Sequence, residues 1–161
     1  YAHYVKWGRS RVVYNEVGVE SATMGQFYRQ VKEPSLVHFE TEIISFLQYP
    51  KVLSTVQKII ELWHPLFASV EPVFYDAVFK NRPSVGWMLY LPSVLTTRQV
   101  PEAAALLPIM SKDEEGGQVG TIVVSVTDKT FSDQNPEHVK IANAIEIRLV
   151  DQDLLPRFAD L

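Results

Sequence analysis

Two prolines constrain this chain more than any other feature in it. Pro50 and Pro136 each head an apolar series at helical spacing, and proline suits a first helical turn because its missing N–H would have no partner there. Behind Pro50, the residues Val52, Val56, Ile59, Ile60 and Trp63 share one face. His64-Pro65 ends that helix, since a residue before proline is driven out of the α region. The second helix has a fuller set of signals. Asn135 is its N-cap, Glu137 complements the positive end of the helix dipole, and Ile141, Ala142, Ile145 and Leu149 form the stripe. Pro156 bars any continuation.

Strand signals dominate the interval between these helices. Pro72–Val78 and Val85–Leu91 are rich in β-branched and aromatic residues, and Lys80-Asn81-Arg82-Pro83 between them is a turn, so an antiparallel hairpin is expected. A short helix is expected from Pro101 through Ala105, then strands at Leu107–Met110 and Gly120–Thr127. Lys112 to Gly117 reads as a charged, glycine-rich turn. Near the beginning, Arg11–Tyr14 and Val17–Val19 read as extended pieces around Asn15-Glu16. Ser21 then caps an expected helix with Met24, Phe27, Tyr28 and Val31 at i, i+3, i+4 and i+7, ending before Pro34. Residues 35–49 fit a strand or a helix equally. Adjacent strands without a βαβ rhythm predict an α+β protein, a mainly antiparallel sheet flanked by helices. A length of 161 residues fits one domain spanning 1–161.

Composition excludes several classes. The formal net charge is -4, and no basic face is clustered along the chain, so nucleic acid is not an expected partner. No apolar run reaches the roughly 18 residues of a membrane span. There are no cysteines, hence no disulfide or thiolate metal site, which suits a reducing cytoplasm. The opening Tyr1 in place of Met is expected of a trimmed or processed N-terminus, and no signal peptide is read in the chain.

Candidate chemistry is sparse. His3, His38, His64 and His138 are scattered, without the i, i+4 or short-loop spacing that zinc prefers, and His138 is better placed to serve the start of the last helix. Ser125, His138 and Asp128 can be drawn as a triad, but Ser125 lacks a nucleophile elbow and lies inside a strand. The pairs Glu114-Glu115 and Asp151/Asp153 read as solvated charges, since nothing nearby would separate their pKa values. Gly116-Gly117 with Gly120 leads into a strand, not a helix N-terminus, and so is no phosphate cradle. Trp87 and Tyr90 fall on opposite faces of their strand, which places one in the core and the other partly in solvent, and Trp63 is expected in the core. No catalytic residue, metal or cofactor is expected.

Several blocks resemble a known family. Val85-Gly86-Trp87-Met88-Leu89-Tyr90-Leu91-Pro92, Val100-Pro101-Glu102-Ala103, Gly120 to Asp128, Phe131 to His138, and Ala142 to Leu149 with Leu154-Leu155-Pro156 look, in that order and spacing, like the polymorphic-toxin immunity protein family numbered 52. They cover somewhat under half the chain. The resemblance implies a cytoplasmic protein that binds and neutralises a cognate toxin made by the same cell. Toxins accompanying the family are often nucleases with a restriction-endonuclease-like core, delivered by contact-dependent routes such as type VI secretion. A basic toxin site would be met by acidic residues, for which Asp113, Glu114 and Glu115 are the first candidates and Glu71 and Asp76 the second. Two other classes stay open, a small hydrolase or transferase with a site drawn from distant residues, and an adaptor for a non-toxin protein.

Overall fold

The computed structural model describes residues 8–14, 21–28, 34–112 and 116–161, with side chains described from Phe39 onward. The chain divides into two compact units, Tyr1–Gln48 and Tyr49–Leu161.

In the first unit, β1 (Gly8–Tyr14), β2 (Ser21–Tyr28) and β3 (Pro34–Thr41) form an antiparallel sheet in the order β1-β2-β3. Val12 lies opposite Thr23, and Met24 opposite Phe39, with a register shift between Phe27 and Tyr28. The helix expected behind Ser21 is therefore a strand. Met24, Phe27 and Tyr28 satisfy a helical period, but so short an apolar set cannot decide the matter, and pairing on both edges overrides it. β3 likewise settles the ambiguous segment as a strand up to Thr41, followed by a turn. The Thr41 hydroxyl accepts from the N–H of Ile43 at 3.1 Å, and Phe46 returns edge-on to Phe39 with ring centroids 5.7 Å apart. Val17–Val19 and Val31 lie outside the described residues.

The second unit is α+β. Its four-stranded antiparallel sheet has the order β4-β5-β7-β6, from β4 (Ala68–Val70), β5 (Met88–Leu91), β6 (Ala105–Met110) and β7 (Gln118–Val124), with helices α1 (Tyr49–Trp63) and α2 (Pro136–Asp151). All four residues of β5 are buried, as is β7 from Gly120, so the two central strands bury both their faces. Trp87 and Tyr90 are consequently both in the core, at 3% and 4% exposure, rather than one inside and one out. α1 adds Val52, Val56 and Ile60, and α2 adds Ala142, Ile145 and Leu149, the valine, isoleucine and leucine side chains each worth about 1.5–3 kcal/mol on full burial. Trp63, at the end of α1, is only half-buried.

Both helices end where local chemistry says they should. α1 stops at His64, whose φ of 45° carries the chain into the left-handed region ahead of Pro65. The Asn135 side chain accepts from the N–H of Glu137 at 3.1 Å. At the other end of α2, Asp153 adopts a φ of 55°, its N–H bonds Val150 O, and the N–H of Leu154 returns to Leu149 O at 2.8 Å. This is a Schellman closure with aspartate where glycine is usual.

Two expectations fail, one of a strand and one of a short helix. Residues 72–78 form no strand, and β5 pairs instead with β4, with Ser69 opposite Leu89. The Pro101–Ala105 segment is a turn, because Ala104 donates to Val124 O at 2.9 Å and β6 begins at Ala105 along β7. Pro108 is tolerated there since β6 is an edge strand.

Gly86 explains the closeness of β4. With φ at 47°, it bends the chain so that the N–H of Trp87 reaches Val70 O at 2.8 Å. A Cβ at this position would stand 2.6 Å from the Glu71 Cβ and 2.8 Å from Val70 O.

Candidate functional site

The apolar stripe of α2 carries one polar intruder. Glu146 lies four residues after Ala142 and three before Leu149, which places it on the inward face, and it is 1% exposed. Such a carboxylate is tolerated only if its oxygens are bonded. Oε1 accepts from the N–H of Val85 at 3.0 Å and lies 2.9 Å from the Tyr75 hydroxyl, while Oε2 accepts from the N–H of Val78 at 2.8 Å. Among the described residues no lysine or arginine bonds to it.

These bonds replace a β ladder. Val78, which the sequence places in a hairpin strand, spends its N–H on Glu146, and Tyr75 closes a turn onto Pro72 O at 3.0 Å. The Tyr75 hydroxyl also lies 2.9 Å from Asn143 Oδ1. A phenol has one proton to give, so Glu146 Oε1 and Asn143 Oδ1 are alternative acceptors for it. Burial, and then the negative charge of Glu146, push the Tyr75 hydroxyl far above its ordinary pKa of 10.0, keeping it a donor at every physiological pH. The ring stands edge-on to Phe131, with centroids 5.6 Å apart.

The loop so anchored shows the opposite character at its tip. Val73 is 71% exposed and Phe74 is 85% exposed. Glu71 and Asp76, both named as acidic candidates, flank this tip. Asp76 is exposed and ion-paired with Lys80. Glu71 is exposed as a residue, yet its carboxyl accepts from the Ser84 hydroxyl within a cleft, and Ser84 O in turn accepts from the Ser69 hydroxyl at 2.8 Å. Loss of solvent around the carboxyl holds Glu71 above the ordinary 4.5, against the opposing effect of the Ser84 hydroxyl. Repulsion from Glu146 adds to the rise, and Lys80 offsets part of it.

The other candidates scatter. Asp113, Glu114 and Glu115 lie outside the described residues. Ser125 is buried with its hydroxyl donated to Gly86 O at 2.7 Å, and Asp128 is in solvent beside Lys129. His138 accepts from the N–H of Ser132 through Nδ1 at 3.0 Å, so it does serve the start of α2, and its Nε2 is buried with no partner among the described residues. No hydrogen bond joins any two of these three residues among the described ones. Asp153 is part of a helix closure. Phe74, Tyr75, Ser84 and Glu146 were not legible as a group, although a glutamate on an otherwise apolar helix stripe was the available signal.

No protein-family model and no curated protein matches the chain. No helix among the described residues is long and apolar enough to cross a membrane.

Proposed function

We propose that this chain is an immunity protein, which binds a toxin made by the same cell and neutralises it by covering it, without chemistry of its own. The sequence blocks between Val85 and Pro156 motivate the reading. One structural observation supports it: Val73 and Phe74 stand in water on a loop that a buried carboxylate holds in place.

That arrangement is not what stability alone would select. An unpaired buried carboxylate costs several kcal/mol of desolvation, which its hydrogen bonds only offset. Phe74 gains nothing from folding while it stays hydrated. Binding gives both a purpose, because a preorganised aromatic anchor loses little freedom on docking, and aromatic residues dominate interface hot spots. The proposed partner is a basic, nuclease-type toxin of a contact-dependent or type VI system, met in the cytoplasm. A resident inhibitor must leave almost no free toxin, which calls for a dissociation constant of about 1 nM, near −12 kcal/mol.

The test pairs the purified chain with the product of the neighbouring candidate toxin gene. Nanomolar binding together with survival of toxin-expressing cells is the expected result. A folded pair that neither binds nor rescues would reject the pairing. Turnover of a small substrate by the chain alone would favour the hydrolase or transferase class instead.

A further inference from the structure

Val73 and Phe74 are the two central residues of a tight turn, closed by the N–H of Tyr75 on Pro72 O at 3.0 Å. Central turn positions ordinarily go to glycine, proline, asparagine, aspartate or serine, each of which favours the bend. Valine and phenylalanine bring no such advantage, and both stand in solvent. The turn thus presents two apolar side chains on a narrow stem, since the ends of a β-turn lie within about 7 Å of each other. That shape suits a concave apolar pocket, where an aromatic anchor is fully desolvated, better than a flat surface.

The stem is fixed at both ends. Pro72 has a locked φ. Tyr75 is held to α2, its hydroxyl 2.9 Å from both Glu146 Oε1 and Asn143 Oδ1, two acceptors three residues apart on one side of the helix. Its ring is braced edge-on by Phe131.

Charge around the turn decides the class of partner. Glu71 and Asp76 border it, and Lys80, the first cation after them in sequence, is paired with Asp76. Anionic lipid surfaces attract segments rich in lysine and arginine, which this turn lacks, so the pocket belongs to a protein.

We infer that the Val73–Phe74 turn enters an apolar pocket of the partner protein as a wedge, and that Tyr75 is the positioning residue that sets it through its hydroxyl. The inference rests on the protein-binding reading above and deepens it, naming the kind of surface the partner offers and the group that prepares the tip.

Tyr75→Phe keeps the ring against Phe131 and removes only the hydroxyl. Amide relaxation by NMR on the free chain is expected to find Val73 and Phe74 as rigid as β5 in the parent and mobile in Tyr75→Phe. A tip already mobile in the parent, or equally rigid in both, overturns the positioning role. Against the candidate toxin, Tyr75→Phe should weaken binding about tenfold, the worth of one hydrogen bond, and that loss should vanish in a Phe74→Ala background. A hydroxyl of merely structural importance would cost the same in both backgrounds. Phe74→Trp distinguishes a pocket from a flat face, because a pocket shaped to phenylalanine should lose about tenfold through overpacking. Equal or tighter binding of Phe74→Trp overturns the wedge. So does binding of the parent to phosphatidylserine vesicles that Phe74→Ala abolishes, which would assign the tip to a membrane. Nanomolar toxin binding that neither Phe74→Ala nor Tyr75→Phe weakens removes the wedge and leaves the immunity reading intact. A rigid, Tyr75-dependent tip on a chain that binds no toxin keeps the positioning role and rejects that toxin pairing.

Discussion

The Glu146 carboxylate, on the last helix, accepts a 2.8 Å hydrogen bond from the backbone N–H of Val78, which stands 68 residues earlier in the chain. That bond, with those to Val85 and Tyr75, turns a would-be strand into a held loop.

Removing the anchor should therefore cost more than an ordinary surface change. Glu146→Ala leaves two backbone N–H groups without their acceptor, while the Tyr75 hydroxyl keeps Asn143 Oδ1, and a loss of roughly 3–5 kcal/mol in urea unfolding is expected. Glu146→Gln keeps one acceptor oxygen and should lose about half as much. A loss under about 0.5 kcal/mol in Glu146→Ala, the range of a surface change, would show that the loop holds itself.

Phe74→Ala separates binding from folding. Stability should stay within about 0.5 kcal/mol, since the ring is in solvent. Affinity for the cognate toxin should fall at least about thirtyfold, the effect of a hot-spot residue worth roughly 2 kcal/mol. Calorimetric titration of the parent and of Phe74→Ala against the toxin reads the difference directly.

Gly86→Ala combines a positive φ with a collision against Glu71 and Val70. Backbone strain and overpacking together predict a loss of about 2–4 kcal/mol, measured by denaturant unfolding. Gly120→Ala, whose Cβ would meet the Tyr90 ring and Leu91 O, should act in the same direction.

Asp153→Gly should do the reverse. Its φ of 55° costs a non-glycine residue about 1 kcal/mol, part of which returns as glycine's extra freedom in the unfolded chain. A gain of about 0.5 kcal/mol in unfolding free energy is expected. No gain would mean that the Asp153 side chain has a compensating role.

Glu71 carries a pH signature of unusual sign. Its folded pKa is raised above 4.5, so the folded state binds the proton more tightly than the unfolded one, and stability falls as pH rises from 4.5 through the folded pKa. Glu71→Gln should thus stabilise the protein at pH 7 relative to the parent and lose that advantage below pH 4.5. Urea midpoints at pH 4 and pH 7 for both proteins test this, and an advantage of the same size at both would refute it.

Both helices of the second unit are readable along the chain, because their determinants are local. Pro50, Asn135, Pro136 and Glu137 act within one turn of the residues they govern, and the stripes behind them have a period long enough to count. β7 is similarly plain, its Ile122-Val123-Val124 run lying inside the predicted Gly120–Thr127, with the strand beginning two residues earlier and ending three residues earlier than predicted. Ser21–Tyr28 misleads for the converse reason. Its three spaced apolar residues suit either period, and only neighbours on both edges make it a strand.

Glu71 and Asp76 are recognisable as acidic candidates, but not their different states, one in a cleft and one paired in solvent. The same limit applies to β5, whose partner is the three-residue β4 and not the longer, more strand-like Pro72–Val78. Propensity describes each segment alone, whereas pairing is a competition between acceptors brought together by the fold. Here a carboxylate on α2 wins the N–H groups of Val78 and Val85, and that outcome depends on positions 68 and 61 residues apart in sequence. Helix boundaries and fold class are thus properties of short stretches of this chain. The loop that carries the exposed Phe74 is held only once distant segments have met.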